Sequence, residues 1–402
     1  MPSPNGREKK KDMSIPDDPR LALVAAFESI PSPAGLNLAD GVLDNRPIVL
    51  YGAGECSHWF HEIAMKRHGC RPVAVLDRRF AGGGEWQGIP AHAPENCPLD
   101  AETRRQARVV ICVGNRALHD EIRATLAAIG LHDAVSLHDI YEIHNPFDEP
   151  PEAGLRGPAF FHEQRAEILA AFDLLGDEES RRVFLSVLRT HMHRRPEAIP
   201  LRPREEQYFP RDVPLGRGHT RYVCCGAYDG DTVRLLHATH GKVDTIACFE
   251  PEPHIYHRLI DYLEREGDAL ADQILTWPCA VYGSAGQKPF MPGDGLGSRL
   301  AAAGTAQAQC VTLDQALPGM NPTFISMDVE GAEPEVLKGA EGLLRRCTPD
   351  LGICVYHSAA HLWEIPRQLH ALGLGYRFHL RNYTGFCIET VLYASAGEKH
   401  EG

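Results

Sequence analysis

The chain has 402 residues, of which 43% are apolar and 24% are charged, and its formal net charge is −13. This length suits two globular domains, each with its own hydrophobic core. The negative charge argues against a nucleic-acid groove as the main surface, since such a groove must neutralise phosphates, and no apolar run of about 18 residues provides a membrane-spanning helix.

The N-terminal segment is polar and lacks the apolar core of a signal peptide. We expect the lysines at residues 9–11 to belong to a solvated, disordered end. The twelve cysteines include no C-x-x-C pair, so we expect small buried side chains in a reducing compartment, without disulfides or a zinc site. The chain is therefore predicted to be cytoplasmic.

The first organised block alternates predicted strands at residues 48–51, 72–76 and 109–113 with amphipathic helices. This alternation predicts a parallel, doubly wound sheet over residues 46–145. The first strand leads into a loop that matches G-x-G-x-x-G, except that Ser57 replaces the third glycine, and Asp77 follows at the distance expected of a ribose-binding acid. The loop fits a dinucleotide, a sugar nucleotide or only a tight turn, and the sequence leaves all three open.

Residues 160–193 show helical periodicity throughout, and the proline-rich residues 196–214 interrupt it. We therefore predict four segments. They are a disordered tail with a leading helix (1–45), a Rossmann-like nucleotide-binding-type domain (46–145), a helical connector (146–206) and a catalytic α/β domain (207–396).

The strand–loop–helix pattern begins again around Tyr222. Gly226 would let the backbone approach a ligand closely, and Asp231 and Thr232 can cap the next helix. The following strand ends at Glu250, whose carboxylate could accept hydrogen bonds from both ribose hydroxyls of an adenosine. These features alone fit NAD as well as S-adenosylmethionine.

Residues 324–333 read as a strand that brings acids to its carboxyl end, where ligands bind in open α/β sheets. If the strand stays extended to Glu330, Asp328 and Glu330 point the same way. We expect Glu333 only to favour the first turn of the next helix. The strand at residues 351–356 leads to His357, and an ordinary imidazole can accept a proton at neutral pH.

The chain closes with a helix at residues 363–372 and two strands at 376–380 and 390–394. Such a tail is typical of the seven-stranded methyltransferase sheet. With the Gly226 loop, the Phe249-Glu250-Pro251 step, residues 326–333 and residues 353–357 continuing through Glu389-Thr390, it makes residues 207–395 resemble the FkbM-type methyltransferases. The block Asp-Val-Glu-Gly-Ala-Glu, which begins at Asp328, is the most specific of these features.

The resemblance implies a class I fold with S-adenosylmethionine as cofactor, and O-methylation of a hydroxyl on a sugar or natural-product scaffold. One position departs from the family pattern, because Cys224 stands where such loops carry an acid. Asp229 or Asp231 would have to replace that carboxylate. The predicted cofactor-binding residues are Gly226, Ala227, Tyr228, Asp229, Asp231, Thr232, Glu250, Pro251, Ala280 and Asp328.

We predict in-line methyl transfer with His357 as the base and with Asp328 and Glu330 beside it. No metal is predicted, although a divalent cation held by Asp328 and Glu330 is an alternative. The expected partner is a small-molecule or sugar-containing acceptor, and a homo-oligomer is possible. Two other functions stay open: an NAD-dependent sugar oxidoreductase or epimerase that uses the Gly52 loop, and a non-enzymatic nucleotide-sensing scaffold.

Overall fold

The computed structural model of the chain describes residues 17–30, 45–65, 69–113, 118–137, 158–193, 197–292, 298–302, 304–384 and 387–397. The lysines at residues 9–11 and the predicted boundary at residues 145–146 lie outside these ranges. Within them, no helix is both long enough and apolar enough to cross a membrane.

The described residues form thirteen α-helices and seventeen strands. The helices are α1 (Pro19–Phe27), α2 (Glu55–Trp59), α3 (Ala101–Gln106), α4 (His119–Ala128), α5 (Pro158–Glu163), α6 (Arg165–Asp173), α7 (Glu178–His193), α8 (Asp231–His240), α9 (Pro253–Leu270), α10 (Leu313–Ala316), α11 (Glu333–Lys338), α12 (Glu341–Cys347) and α13 (His361–Ala371). The strands are β1 (Ile48–Tyr51), β2 (Ala74–Leu76), β3 (Gly84–Trp86), β4 (Ile89–His92), β5 (Arg108–Ile111), β6 (Asp133–Ser136), β7 (Arg221–Cys225), β8 (Val243–Phe249), β9 (Ala271–Trp277), β10 (Ala280–Val281), β11 (Gly286–Met291), β12 (Arg299–Leu300), β13 (Ala306–Val311), β14 (Phe324–Met327), β15 (Asp350–Cys354), β16 (Arg377–Asn382) and β17 (Thr390–Ser395). Short 3-10 helices cover Arg78–Phe80, Pro94–Asn96 and Arg204–Glu206, and a π-helix covers Phe60–Met65.

The N-terminal sheet has the order β3-β4-β2-β1-β5-β6. All of its pairings are parallel except β3 with β4, which confirms the predicted parallel sheet of this block. The predicted helix after β1 changes to π geometry at Phe60, since α2 runs directly into the π-helix. Two apolar clusters, one containing Leu50 and Val75 and the other Val49 and Leu126, cover the two faces of this sheet.

The C-terminal sheet has the order β16-β17-β15-β14-β7-β8-β9. Strands β15, β14, β7, β8 and β9 are parallel, and β17 is antiparallel to both β15 and β16. This confirms the predicted antiparallel tail. The order reverses between β7 and β14, and a topological switch point of this kind opens a crevice at the carboxyl ends of the strands.

Alternating side chains on the strands of this sheet build a core on each face. On β7, Val223 and Cys225 face one apolar cluster, and Tyr222 and Cys224 face the other. All four side chains are almost completely buried. The same alternation explains why the strand segments read as continuous apolar runs in the sequence.

The helical connector shares a core with the C-terminal sheet. Phe172 and Phe184 from α6 and α7 belong to the same buried cluster as Trp363 of α13, and α1 contributes Phe27 to it. An ion pair adds to this packing, because Nη2 of the buried Arg381 of β16 lies 2.8 Å from Oδ2 of Asp177, which directly precedes α7. The leading helix and the connector therefore pack against the sheet that carries the predicted site.

Two features of this half differ from the sequence prediction. A small sheet, β10-β13-β11-β12, is formed by the part of the sequence between β9 and β14. Gly304 is required in this sheet because an added Cβ would lie 2.4 Å from the backbone nitrogen of Phe290. The single helix predicted after residue 333 is divided into α11 and α12 at Gly339, where a Cβ would meet the Tyr282 carbonyl oxygen at 2.3 Å. A close backbone approach decides the local structure in both cases.

Candidate active site

The carboxyl ends of four parallel strands and the start of β17 meet at one edge of the C-terminal sheet. Register pairs Phe249 with Cys225, Cys225 with Met327, and Met327 with Ile353. The residues that follow these strand ends therefore form a row along the crevice of the switch point. That row contains Glu250, Gly226, Asp328, His357 and, from the antiparallel strand, Glu389.

Gly226 occupies the centre of this row in a conformation that only glycine adopts easily. Its φ is +82°, and an added Cβ would lie 1.9 Å from the carbonyl oxygen of Asp328. The amides of Gly226 and Ala227 both donate to the Phe249 carbonyl oxygen, at 3.1 and 2.9 Å. The loop is therefore a rigid turn that brings the backbone next to Asp328.

Glu250 lies beside this loop and is 6% exposed. Its two oxygens accept one backbone bond each, from Tyr228 at 3.0 Å and from Glu252 at 2.9 Å. Burial raises the pKa of the Glu250 carboxyl to about 7, although the two amides oppose this rise. Each carboxylate oxygen can accept a further hydrogen bond, which is what recognition of a ribose diol requires.

The two candidates for replacing the acid missing at Cys224 differ in what surrounds them. Asp229 forms ion pairs with both Arg234 and Arg258, so its oxygens are engaged within the protein. Asp231 begins α8 and is exposed, and its Oδ1 accepts from the Thr232 amide at 2.6 Å. Burial raises the pKa of the Cys224 thiol to about 12, so this residue is an uncharged part of the core.

The other predicted cofactor contacts lie around the same loop. Tyr228 has a φ of +46°, and the Arg258 guanidinium lies 5.6 Å from the centre of its ring. Pro251 follows Glu250 directly and is half-buried. Ala280 is buried in β10, shortly after the end of β9, whose Trp277 carbonyl accepts from the Glu250 amide at 3.2 Å.

The three predicted catalytic residues are brought together. His357 Nε2 lies 3.3 Å from Asp328 Oδ1 and 3.5 Å from Glu330 Oε2. The His357 side chain is fully buried, whereas 31% of the Asp328 side chain and 23% of the Glu330 side chain are exposed. The two carboxylates therefore border the crevice, and the imidazole lies beneath them.

The reason for this convergence is not the one that the sequence predicted. Strand β14 ends at Met327, and Glu330 has a φ of +54°, so the chain does not stay extended to Glu330. A turn through Glu330 and Gly331, with φ of +54° and +98°, brings both acids to the imidazole. Tyr356 supports the arrangement, since its hydroxyl donates to Asp328 at 3.2 Å.

The protonation states also differ from the prediction that His357 accepts a proton at neutral pH. Burial alone would lower the pKa of His357, but the negative charges of Glu333, Glu330 and Asp328 outweigh burial and raise it to about 10. His357 is therefore a buried imidazolium at neutral pH, which has no lone pair for a substrate proton. Burial raises the pKa of Asp328 and Glu330, and the His357 charge only partly opposes this.

Three further residues of this centre were not predicted. Glu333 is fully buried against His357, Tyr356 holds Asp328, and burial raises the pKa of Glu389. The expectation that Glu333 only favours a helical turn is wrong, because its carboxylate contacts two histidines. The position of Glu389 could have been predicted from the start of β17, since an antiparallel strand that begins beside the end of β15 must bring Glu389 to the same edge.

Ligand-type atoms of the described residues lie close together in two groups at this centre. The first joins Asp328 and Glu330 to His357, and the second joins Asp328 to Cys354 and Glu389. A cation at either group would have to displace a proton, since the surrounding acids raise the pKa of His357 and burial raises the pKa of the Cys354 thiol well above its usual range. We assign a metal to neither group.

The N-terminal glycine loop has a different arrangement. Asp77 accepts from the Ala53 amide at 2.8 Å and from the Arg79 amide at 2.9 Å. The Arg79 side chain also donates to both oxygens of Asp77, at 3.0 and 2.8 Å, and this bonding lowers the Asp77 pKa to about 2. A ribose could reach Asp77 only by displacing Arg79. The bonds of Asp77 fit the alternative in which the loop makes only a tight turn.

Part of the C-terminal half matches a known protein family. Residues 225–378 match the family model described as the methyltransferase FkbM domain. The chain carries an FkbM methyltransferase domain. Its first matched residue closes β7, and the match runs through Glu250, Asp328 and His357 into β16. The domain and its fold support a methyltransferase.

The FkbM domain and its N-terminal companion together resemble a solved structure. Methyltransferase FkbM from Methylobacillus flagellatus is 20% identical, with a TM-score of 0.68 over 94% of this chain and 99% of that one. Fibrillarin from Aeropyrum pernix, solved with bound S-adenosylmethionine, is 14% identical with a TM-score of 0.30, over 46% of this chain and 69% of that one. That score is too low to support an inference. A search of curated proteins finds no match to the chain.

Proposed function

We propose that the FkbM domain uses S-adenosylmethionine to methylate a hydroxyl on a sugar or natural-product acceptor. The observation that carries this proposal is the row of groups along one crevice, with the Gly226 loop and Glu250 at one end and Asp328 and Glu330 at the other. The Gly226 loop and Glu250 suit the binding of an adenosine, and Asp328 and Glu330 suit an acid-base step. We assign this reaction to residues 207–396 and propose a supporting role for the segments before them.

The residues around the Gly226 loop fit the proposed cofactor. The missing Cβ of Gly226 lets the loop lie directly against the backbone of Asp328, and Glu250 keeps acceptor capacity for two hydroxyls. Asp231 is the acid that we assign to the amino-acid end of the cofactor, because Asp229 is held by two arginines. When bound, S-adenosylmethionine supplies a methyl group that its positive sulfur already activates.

We assign the acid-base step to Asp328 and not to His357. A carboxylate whose pKa is raised toward neutrality is a better proton acceptor than an ordinary one, and Asp328 is partly exposed to the crevice. The buried imidazolium of His357 limits that rise by its positive charge. Asp328 would thus take the acceptor hydroxyl proton, with Tyr356 fixing the orientation of the carboxylate.

Calorimetric titration with S-adenosylmethionine and then with NAD tests the cofactor assignment. We expect saturable binding of S-adenosylmethionine at one site per chain, and the alternative of an NAD-dependent oxidoreductase requires NAD to bind instead. Transfer of labelled methyl to hydroxyl-bearing acceptors, with their O-methyl ethers as blocked controls, then tests the reaction. Equal labelling of the ethers and the free hydroxyls would exclude O-methylation.

Replacement of His357 tests which residue accepts the proton. Because the imidazolium lowers the pKa of Asp328, His357→Gln should raise that pKa and move the acidic limb of the pH–rate profile to higher pH. If His357 itself were the base, the acidic limb would disappear. The direction of the change in the profile therefore decides between the two residues.

A further inference from the structure

The carboxylate of Glu333 is the most completely enclosed charge of the active centre. The residue is 0% exposed, although it stands at the first position of α11. An ionised carboxylate at such a position is costly unless every oxygen has partners. The contacts of Glu333 therefore indicate the role of this buried carboxylate.

Its two oxygens contact two separate parts of the site. Oε1 lies 2.8 Å from His357 Nδ1 and accepts from the amides of Val329 at 3.1 Å and Gly331 at 3.4 Å. Oε2 lies 3.3 Å from Nδ1 of His361, the first residue of α13. One carboxylate thus joins the imidazole to the turn that carries Asp328 and Glu330.

We propose that Glu333 is a positioning residue, which fixes the His357 ring and the turn at residues 329–331 so that Asp328 and Glu330 face Nε2. A bond to Nδ1 sets the rotation of an imidazole and so the direction in which Nε2 points. The turn needs the same support, because Glu330 has a φ of +54°, which is unfavourable for a residue with a side chain. Glu333 acts through these groups and does not touch the substrate.

The charge of Glu333 has a second consequence for His357. The groups that face this imidazole are Asp328, Glu330 and Tyr356 near its ring, Glu333 and His361 on the Nδ1 side, and Glu389 across the edge. Glu333 is the charged group closest to the ring, with Oε1 2.8 Å from Nδ1, and its side chain is fully buried. Its removal should weaken the proton affinity of His357 more than the loss of any other single group.

The test compares Glu333→Gln with Glu335→Gln, a matched change on the same helix at a residue that pairs with Lys338 outside the site. We expect Glu333→Gln to lower kcat by about tenfold to 100-fold, because small displacements of reacting groups cost this much. Affinity for S-adenosylmethionine should stay within about twofold, since the Glu250 end is untouched. The kcat and affinity of Glu335→Gln should match those of the unchanged protein.

Nuclear magnetic resonance of isotope-labelled histidine provides a readout that needs no turnover, with His357 assigned from the His357→Gln variant. We expect His357 to stay protonated at about pH 8 in the unchanged protein, where an ordinary histidine is neutral. In Glu333→Gln it should lose its proton at a lower pH. Two results would overturn the proposal. One is a pKa of His357 that is the same in Glu333→Gln as in the unchanged protein, and the other is a kcat of Glu333→Gln equal to that of Glu335→Gln.

The kcat measurement rests on the proposed methyl transfer, whereas the titration of His357 does not. If no acceptor is methylated but His357 responds as expected, the proposed function fails and the positioning role stands. If Glu333→Gln does not fold, the unchanged protein still decides, because a neutral His357 at about pH 8 contradicts the arrangement described.

Discussion

Asp77 in the N-terminal sheet and Glu250 in the C-terminal sheet occupy equivalent places, each at the end of the strand beside a glycine loop. Each also accepts a backbone bond from its loop, Asp77 from Ala53 at 2.8 Å and Glu250 from Tyr228 at 3.0 Å. The neighbours of the two carboxylates then differ. Arg79 binds both oxygens of Asp77, whereas Glu250 has no arginine partner among the described residues.

The pKa values report the same difference. The Arg79 side chain lowers the pKa of Asp77 to about 2, and burial raises that of Glu250 to about 7. A carboxylate that is already paired stabilises a turn, while a buried one with spare acceptor capacity gains from a ligand. The same local pattern in the sequence can therefore give a structural turn or the cofactor site that we propose, and four experiments test this difference.

The largest effect should come from the cluster of acids around Asp328 in the C-terminal sheet. Asp328→Asn keeps the size of the side chain and removes its charge, so it removes the proton acceptor without opening a cavity. We expect turnover to fall by about 10²–10⁴-fold, the usual contribution of a positioned base. Steady-state kinetics measures this, with a circular dichroism spectrum to check folding. Turnover within about twofold of the unchanged protein would remove Asp328 from the mechanism.

The next effect separates the two strand-end acids directly. Glu250→Ala removes charge-assisted hydrogen bonds worth roughly 1.5–3 kcal/mol, so affinity for S-adenosylmethionine should drop about tenfold to 100-fold. Asp77→Ala is the matched control and should leave that affinity unchanged. Calorimetry on both folded variants gives the comparison. Equal losses in the two variants would mean that the contrast between the sheets is not functional.

A smaller effect follows from the ionisation of Glu250. Since burial raises its pKa to about 7, the carboxylate is mostly protonated at acidic pH and becomes a better acceptor as the pH rises. Affinity for S-adenosylmethionine should increase by up to about tenfold between roughly pH 6 and 8. Glu250→Gln should flatten this dependence. A slope that persists in the variant would assign it to another group.

The smallest effect is expected at the N-terminal glycine loop. Gly54 has a φ of −98°, and an added Cβ would meet nothing within 4 Å, so Gly54→Val should be accommodated. Methyl transfer should then stay within about twofold of the unchanged protein. Loss of transfer together with loss of NAD binding in a folded variant would instead show that the first sheet takes part in the reaction.

Most of the fold could be predicted from the sequence, because it depends on the local periodicity of apolar residues. Buried strands such as 48–51 and alternating amphipathic helices predict parallel sheets, and both sheets are present. The helix face at Ile255, Leu259 and Tyr262 is buried, because apolar residues spaced three and four apart share one face of a helix. The small sheet β10–β13 was missed because its strands are short and depend on one another.

Within the candidate site, the pattern of strands in the sequence was enough to predict three of the residues that lie at this edge of the sheet. Asp328, Glu250 and His357 all follow parallel strands, and parallel strands end at one edge whatever packs around them. The charge and the pairing of these residues could not be predicted from the sequence. The charge of His357 depends on Glu333 and Asp328, and the availability of Asp77 depends on Arg79, because protonation and pairing are set by distances of a few ångströms and by burial.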